Sequence, residues 1–332
     1  MKSMLSRRVI FHGGVAGIAA SLAGCDVGDA DTPQTRNDYV AAPPQPRVFT
    51  PPEPLDLSGE GRLALPLADG ARLYYWDTGG SGPPIVLVHA ATGSAYVWGY
   101  QQRVFARAGY RVVAYSRRGY RGSDAGPLDD DGRALARTGR PLDDLAALVD
   151  ALGLERFHLL GHAGGGGIAN GFMKEHADRV LSAISVTAIQ GIADADWSEL
   201  TNAIRAPGGS AELGSFNSNP PELREVGPSY RWANPEGLAA WVGLERSNRP
   251  VSVDHPVGIA VTWADLEARR FPTLLIAGDA DLYAPPSMYR YLKSRVPDSE
   301  LNVVSEAGHS VYWEQPGTFN EIVLEFLNRR FA

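Results

Sequence analysis

From about residue 61 onward, short apolar runs alternate with amphipathic stretches. Residues 62–66 (Arg62-Leu63-Ala64-Leu65-Pro66) and 71–76 (Ala71-Arg72-Leu73-Tyr74-Tyr75-Trp76) read as two strands joined by a turn at Asp69-Gly70. Ile85-Val86-Leu87-Val88-His89 is a continuous apolar run, the pattern of a strand buried on both faces. Residues 111–115, 157–160, 180–186, 273–277 and 301–304 continue the series and complete eight predicted strands. Between them, residues 97–107 read as a helix. Leu142, Leu145, Leu148, Val149 and Leu152 fall at helical spacing before a stop at Gly153. A further helix is expected after Gly161, and a last one over about Thr318 to Arg330. Such alternation predicts a mostly parallel sheet flanked by helices, with ligands bound at the carboxyl ends of the strands.

The rhythm stops over residues 189–270, a stretch that holds Trp197, Trp232, Trp241 and Trp263 together with Phe216 and Tyr230. Core strands precede and follow it, so the chain must leave the sheet and return. The expectation is a mostly helical cap over the strand ends, inserted in an α/β core made of residues 59–188 and 271–332. An aromatic-rich cap that excludes water suits a small, partly apolar substrate.

The first residues have a different character. Arg7-Arg8 precede a weakly apolar run from Gly13 to Leu22, shorter than the roughly 20 residues a membrane span needs. Residues 1–25 therefore read as an export signal. Ser6-Arg7-Arg8-Val9-Ile10-Phe11 resembles a twin-arginine signal, and Leu22-Ala23-Gly24-Cys25 resembles a bacterial lipobox. Cys25, the single cysteine of the chain, stands where such a box is lipidated. Residues 26–58 are polar and Pro-rich, as in a semi-extended tether. The expectation is a bacterial protein exported to the periplasm or anchored to a membrane by lipid at Cys25.

Composition narrows the function. With 31 Lys plus Arg against 38 Asp plus Glu, the net charge of −7 argues against nucleic acid as a partner. One cysteine excludes an intrachain disulfide framework and a multi-Cys zinc site. Of the seven histidines only His158 and His162 stand at H-x-x-x-H spacing, and they lie in a predicted strand and its turn rather than on a helix face, so no metal is expected.

Four segments carry candidate chemistry. Leu159-Leu160-Gly161-His162-Ala163-Gly164-Gly165 lies between an apolar run and a predicted helix, with Gly161 and Gly165 at G-x-S-x-G spacing. His89-Ala90-Ala91-Thr92-Gly93-Ser94, with Trp98 beyond, follows a strand. Gly278-Asp279-Ala280-Asp281 through Pro285 follows another. Gly308-His309 leads into Trp313-Glu314-Gln315-Pro316 near the last helix. In this order the segments resemble the nucleophile elbow, oxyanion loop, acid loop and histidine block of the α/β-hydrolase superfamily, in its capped Gly-His-Ser-x-Gly-Gly form. The turn Arg117-Arg118-Gly119-Tyr120-Arg121-Gly122-Ser123 resembles a further motif of that superfamily and is given a scaffold role. The resemblance spans about residues 60–331. It implies the α/β-hydrolase fold, no cofactor, Asp281 rather than Asp279 as the acid, His309 as the base, and the amides of Ala91 and Gly164 as the oxyanion hole. Ala90, His162, Trp98 and Trp313 are expected beside the substrate, His162 chiefly as a packing residue.

One departure decides what can be expected of the chemistry: the nucleophile position is Ala163. A methyl group cannot attack a carbonyl. Either a serine has been replaced to trap substrate, or a natural chain lost or never used it, and both readings stay open on the sequence. The first expectation is a serine-hydrolase-type scaffold for an ester, lactone or related acyl bond, inactive or nearly so with alanine. The alternatives are a serine-less enzyme working through the His309–Asp281 dyad, of lyase or cofactor-free oxygenase type, and a non-catalytic binder of small ligands.

Overall fold

The computed structural model describes residues 39–40, 64–127, 139–189, 191–205, 216–251, 253 and 259–331. The export signal, Cys25 and most of the tether lie outside these. The strands are β1 (Tyr39–Val40), β2 (Ala64–Pro66), β3 (Arg72–Asp77), β4 (Pro84–Val88), β5 (Arg111–Tyr115), β6 (Phe157–His162), β7 (Val180–Val186), β8 (Thr273–Gly278) and β9 (Ser299–Val304). They form one sheet in the order β1-β9-β8-β7-β6-β4-β5-β3-β2. All eight predicted strands are present. Only β3 against β5 and β2 against β3 are antiparallel. The ninth strand was expected to be tether: Tyr39–Val40 pairs in parallel with Val303 and Val304 and covers the edge of β9.

Helices α1 (Gly99–Arg107), α2 (Pro141–Ala151), α3 (Gly164–Glu175), α9 (Pro286–Arg295), α10 (Val311–Glu314) and α11 (Pro316–Phe331) belong to the core. They cover both faces of the sheet, which is why β6 and β8 carry unbroken runs of buried residues rather than an alternation. Trp76, Trp98 and Phe326 are buried in one hydrophobic layer, and Phe157, Phe172 and Leu145 in a second. The expected cap is helical: α4 (Ala195–Arg205), α5 (Pro221–Glu225), α6 (Pro228–Ala233), α7 (Pro235–Asn248) and α8 (Trp263–Glu267).

Among the described residues the cap's tryptophans pack in separate places. Trp197 stacks on Tyr291 and meets Trp263 edge-on, forming a hydrophobic layer with residues of α9. Trp241 is buried with Trp98 and Trp313, whereas Trp232 is 80% exposed. Burying indole area against neighbouring helices accounts for most of these side chains.

Candidate active site

The chain bends sharply between β6 and α3. Ala163 sits there at φ 47° and ψ −117°, a conformation costly for any residue with a Cβ. The bend is held on both sides: Ala163 N donates to Val186 O at 3.0 Å, and Gly166 N donates to Ala163 O at 2.9 Å. It also needs small neighbours. A Cβ on Gly165 would lie 2.3 Å from Val88 O and 2.6 Å from His89 O, and one on Gly161 would lie 2.7 Å from Gly166 Cα. The glycine spacing read in the sequence is thus the spacing at which backbones cross.

Asp281 and His309 come from the ends of two adjacent strands, β8 and β9. Asp281 Oδ2 lies 2.9 Å from His309 Nδ1, and both side chains are buried. The other carboxylate oxygen of Asp281 accepts from Tyr283 N at 2.7 Å and Ala284 N at 3.1 Å. With Nδ1–H donated to Asp281, the imidazole keeps Nε2 as an acceptor. The histidine's main chain is fixed to the bend as well. Its carbonyl accepts from His162 Nε2 and from Thr187 Oγ1, each at 3.0 Å. Thr187 itself has φ 45°, so a second strained residue holds the same loop. The His162 and His309 rings are 5.3 Å apart. Burial, and then the neighbouring His309, hold His162 well below the usual histidine range, so it is a neutral packing group.

The oxyanion-loop expectation can be placed through Gly164, the first residue of α3. A Cβ built on it would lie 3.7 Å from Ala91 N and 3.9 Å from Arg117 Nη1. Ala91 and Gly164 are therefore neighbours beside Ala163. The carbonyl of Ala90 is engaged by His89 Nδ1 at 2.7 Å and Arg117 Nη2 at 3.1 Å. Trp98 is fully buried, its ring 4.7 Å from that of Tyr312. Trp313 donates to Gly237 O of α7 and packs edge-on against Tyr100 of α1, in the hydrophobic layer. The fold thus gathers Ala163, Gly164, Ala91, His162, Asp281 and His309, and seats Trp98 and Trp313 in the packing around them.

Three groups were not singled out in the sequence. Glu225, at the end of cap helix α5, is buried, and its Oε2 accepts from Thr92 Oγ1 at 2.7 Å. Burial raises its pKa despite the opposing influence of His309. Asn248, at the end of α7, donates from Nδ2 to Thr92 O at 3.2 Å and accepts a short bond from Ser94 Oγ. Two cap helices therefore clamp the loop that carries Ala91. Glu314 accepts from Gly227 N, Gly308 N and Ser310 N at 2.8, 3.0 and 3.2 Å, tying α6 to the histidine loop. Burial pushes it up to about 7. Glu314 had a signal in the histidine block, whereas Glu225 and Asn248 lie in a stretch without a readable period.

An elbow with a strained central residue, a buried Asp–His pair and a facing loop of amides, each at the carboxyl end of a parallel strand, together decide the family. The chain belongs to the α/β hydrolase fold family. The match covers residues 83–316. Among its relatives is a protein of Caulobacter sp. (strain K31), named provisionally as the carbamate hydrolase RutD. It is 28% identical over 267 residues, which are 75% of this chain and 91% of the relative. Among solved structures, a thermophilic esterase from Thermogutta terrifontis superposes with a TM-score of 0.66 at 24% identity, covering 81% of this chain and 99% of that one. Est816, described as an N-acyl homoserine lactone degrading enzyme, gives 0.62 at 25% identity, covering 78% and 98%.

Proposed function

We propose that this chain is a serine-hydrolase-type scaffold for cleaving an ester, lactone or related acyl bond of a small, partly apolar substrate. In its alanine form it binds such a substrate with little or no turnover. The reading is carried by one observation: Asp281 and His309 are hydrogen-bonded and buried beside a bend whose strained residue holds a methyl group where an attacking oxygen belongs. The lactone-degrading and carbamate-hydrolase relatives support acyl substrates of this kind.

With a hydroxyl at position 163, Nε2 of His309 would take its proton as the oxygen attacks the acyl carbon. Asp281 would stabilise the imidazolium. The amides of Ala91 and Gly164, adjacent at the start of α3, would donate to the developing oxyanion, a contribution of about 10²–10³ in rate per donor. The imidazolium would then return the proton to the leaving group, and water would release the acyl group by the same steps.

The test is Ala163→Ser assayed on short-chain esters and lactones. An increase in kcat on the order of 10³-fold or more is expected over the alanine form. No gain would refute the reading. A second reading is favoured by the completeness of the Asp281–His309 pair beside a position 163 that carries only a methyl group: the histidine activates water or abstracts a substrate proton directly. In that case the unaltered chain turns over a substrate and His309→Ala abolishes it. Export, with lipid anchoring at Cys25, is proposed from the first residues alone. Incorporation of labelled palmitate that is lost in Cys25→Ser tests it.

A further inference from the structure

Two consecutive arginines leave β5 and meet opposite fates. Arg118 is buried and satisfied by two carboxylates. Its Nε and Nη2 donate to Asp144 at 2.8 and 2.9 Å, and its Nη1 donates to Asp69 at 2.5 Å. That is the scaffold role expected of the turn. Arg117 has no carboxylate partner among the described residues. Its Nη2 is held by Ala90 O at 3.1 Å and by the Tyr120 hydroxyl at 2.7 Å, with the guanidinium 4.6 Å over the Tyr120 ring. Its Nε is buried and has no hydrogen-bond partner among the described residues. Its Nη1 lies 3.9 Å from where a Cβ on Gly164 would stand, beside the amides placed as the oxyanion hole.

The position is built rather than accidental. Arg117 N donates to His89 Nε2 at 3.0 Å, and His89 Nδ1 lies 2.7 Å from Ala90 O. The buried His89 therefore spends one ring nitrogen on each residue that aims the arginine. Burial, and then the charge of Arg117 itself, keep His89 well below the usual histidine range, so the imidazole adds no positive charge of its own beside the guanidinium. Tyr120 braces the guanidinium from below, and His89 meets that ring edge-on at 4.6 Å. With Nη2 engaged by Ala90 O and the Tyr120 hydroxyl, Nη1, on the Gly164 side, is the nitrogen that would meet an anionic group through charge-assisted N–H donation.

The geometry points to Arg117 as a specificity-determining residue that receives a carboxylate on the substrate, placed a few bonds from the acyl group whose oxygen the Ala91 and Gly164 amides would hold. The ligand class is a half-ester or lactone of a dicarboxylic acid, rather than a neutral ester. This inference rests on the acyl-hydrolase reading for its orientation, but its first test requires no turnover.

Titration calorimetry of the unaltered chain would compare monomethyl succinate with methyl 4-methylpentanoate, in which an isopropyl group replaces the carboxylate. The carboxylate is expected to bind at least tenfold more tightly, with an advantage that shrinks as salt is raised. Arg117→Gln should abolish the advantage and Arg117→Lys should keep part of it, with circular dichroism checking that each variant is folded. Equal affinities in the unaltered chain, or no binding of the carboxylate, would overturn the assignment even if neither variant folds. In the Ala163→Ser background, the ratio of kcat/KM for the carboxylated over the neutral ester should fall at least tenfold on Arg117→Gln. An active Ala163→Ser enzyme whose ratio ignores Arg117 would defeat this inference and leave the hydrolase reading standing. An inactive one that still binds the carboxylate through Arg117 would do the reverse.

Discussion

Asp281 Oδ2 and His309 Nδ1 stand 2.9 Å apart, and the remaining oxygen of Asp281 is occupied by two backbone amides of its own loop. The carboxylate therefore acts as a fixed acceptor that selects one tautomer of the imidazole. Asp281→Asn in the Ala163→Ser background should leave the fold intact. An amide can present its NH₂ to Nδ1, which turns the ring tautomer the wrong way. We expect kcat on short esters to fall by about 10⁴-fold, as measured by steady-state kinetics. A loss of under tenfold would mean that Asp281 does not set the working tautomer of His309.

The elbow makes a prediction about volume rather than chemistry. Gly165→Ala would put a methyl carbon 2.3 Å from the carbonyl oxygen of Val88, a backbone atom at the end of a central strand that cannot move aside. The expected result is a loss of at least about 3 kcal/mol, or no soluble protein. Gly243, exposed in the middle of α7, has nothing within 4 Å of the equivalent position. Gly243→Ala should stabilise the protein by about 0.5–1 kcal/mol through helix propensity alone. Thermal unfolding of the two variants against the parent reads both signs.

The contrast between these glycines shows which features were legible in the sequence. Gly161 and Gly165 could be read because close backbone crossing demands glycine at fixed spacing, and the eight strands because burial on two faces forces continuous apolar runs. Asp281 and His309 were legible for a related reason: each follows a strand end, which fixes where the chain must present them. Thr92, Glu225 and Asn248 obey no such local rule. Their contacts join residues more than a hundred positions apart, and the cap segment that supplies two of them has no period of its own. The cap tryptophans follow no local rule either. Indole area can be buried against any neighbouring helix, and Trp197 found Tyr291 and Trp263.

The clamp on the oxyanion loop is itself testable. Asn248→Ala removes the acceptor of Ser94 Oγ and the donor to Thr92 O, leaving buried polar groups without partners. Each such group costs about 1–3 kcal/mol, so the melting temperature should drop on the order of 5 °C. In the Ala163→Ser background kcat should also fall by roughly tenfold or more, because the Ala91 amide loses its fixed aim. Stability and kcat that both match the parent would show that the cap does not hold this loop.

Acid stability carries the last prediction. His158 is buried in β6, with Nδ1 2.8 Å from Ser182 Oγ of β7 and its ring against Phe331. Nε2 is buried without a hydrogen-bond partner, and burial pushes the group down to about 4 from its ordinary 6.5. The folded protein thus keeps this imidazole neutral while the unfolded chain protonates it. The associated stability is complete above pH 6.5 and is lost as pH falls toward 4. His89 and His162 are also held neutral by burial and act with the same sign. Comparing His158→Phe with the parent isolates one histidine, since contributions from the others cancel in the difference. The phenyl ring keeps most of the packing but strands Ser182, so the variant should be less stable at pH 7. Between pH 7 and pH 5 that deficit should shrink by about 2 kcal/mol, because only the parent has an imidazole to protonate on unfolding. Urea unfolding of both proteins at the two pH values measures this, and a deficit that stays constant would mean that His158 is already open to protons in the folded state.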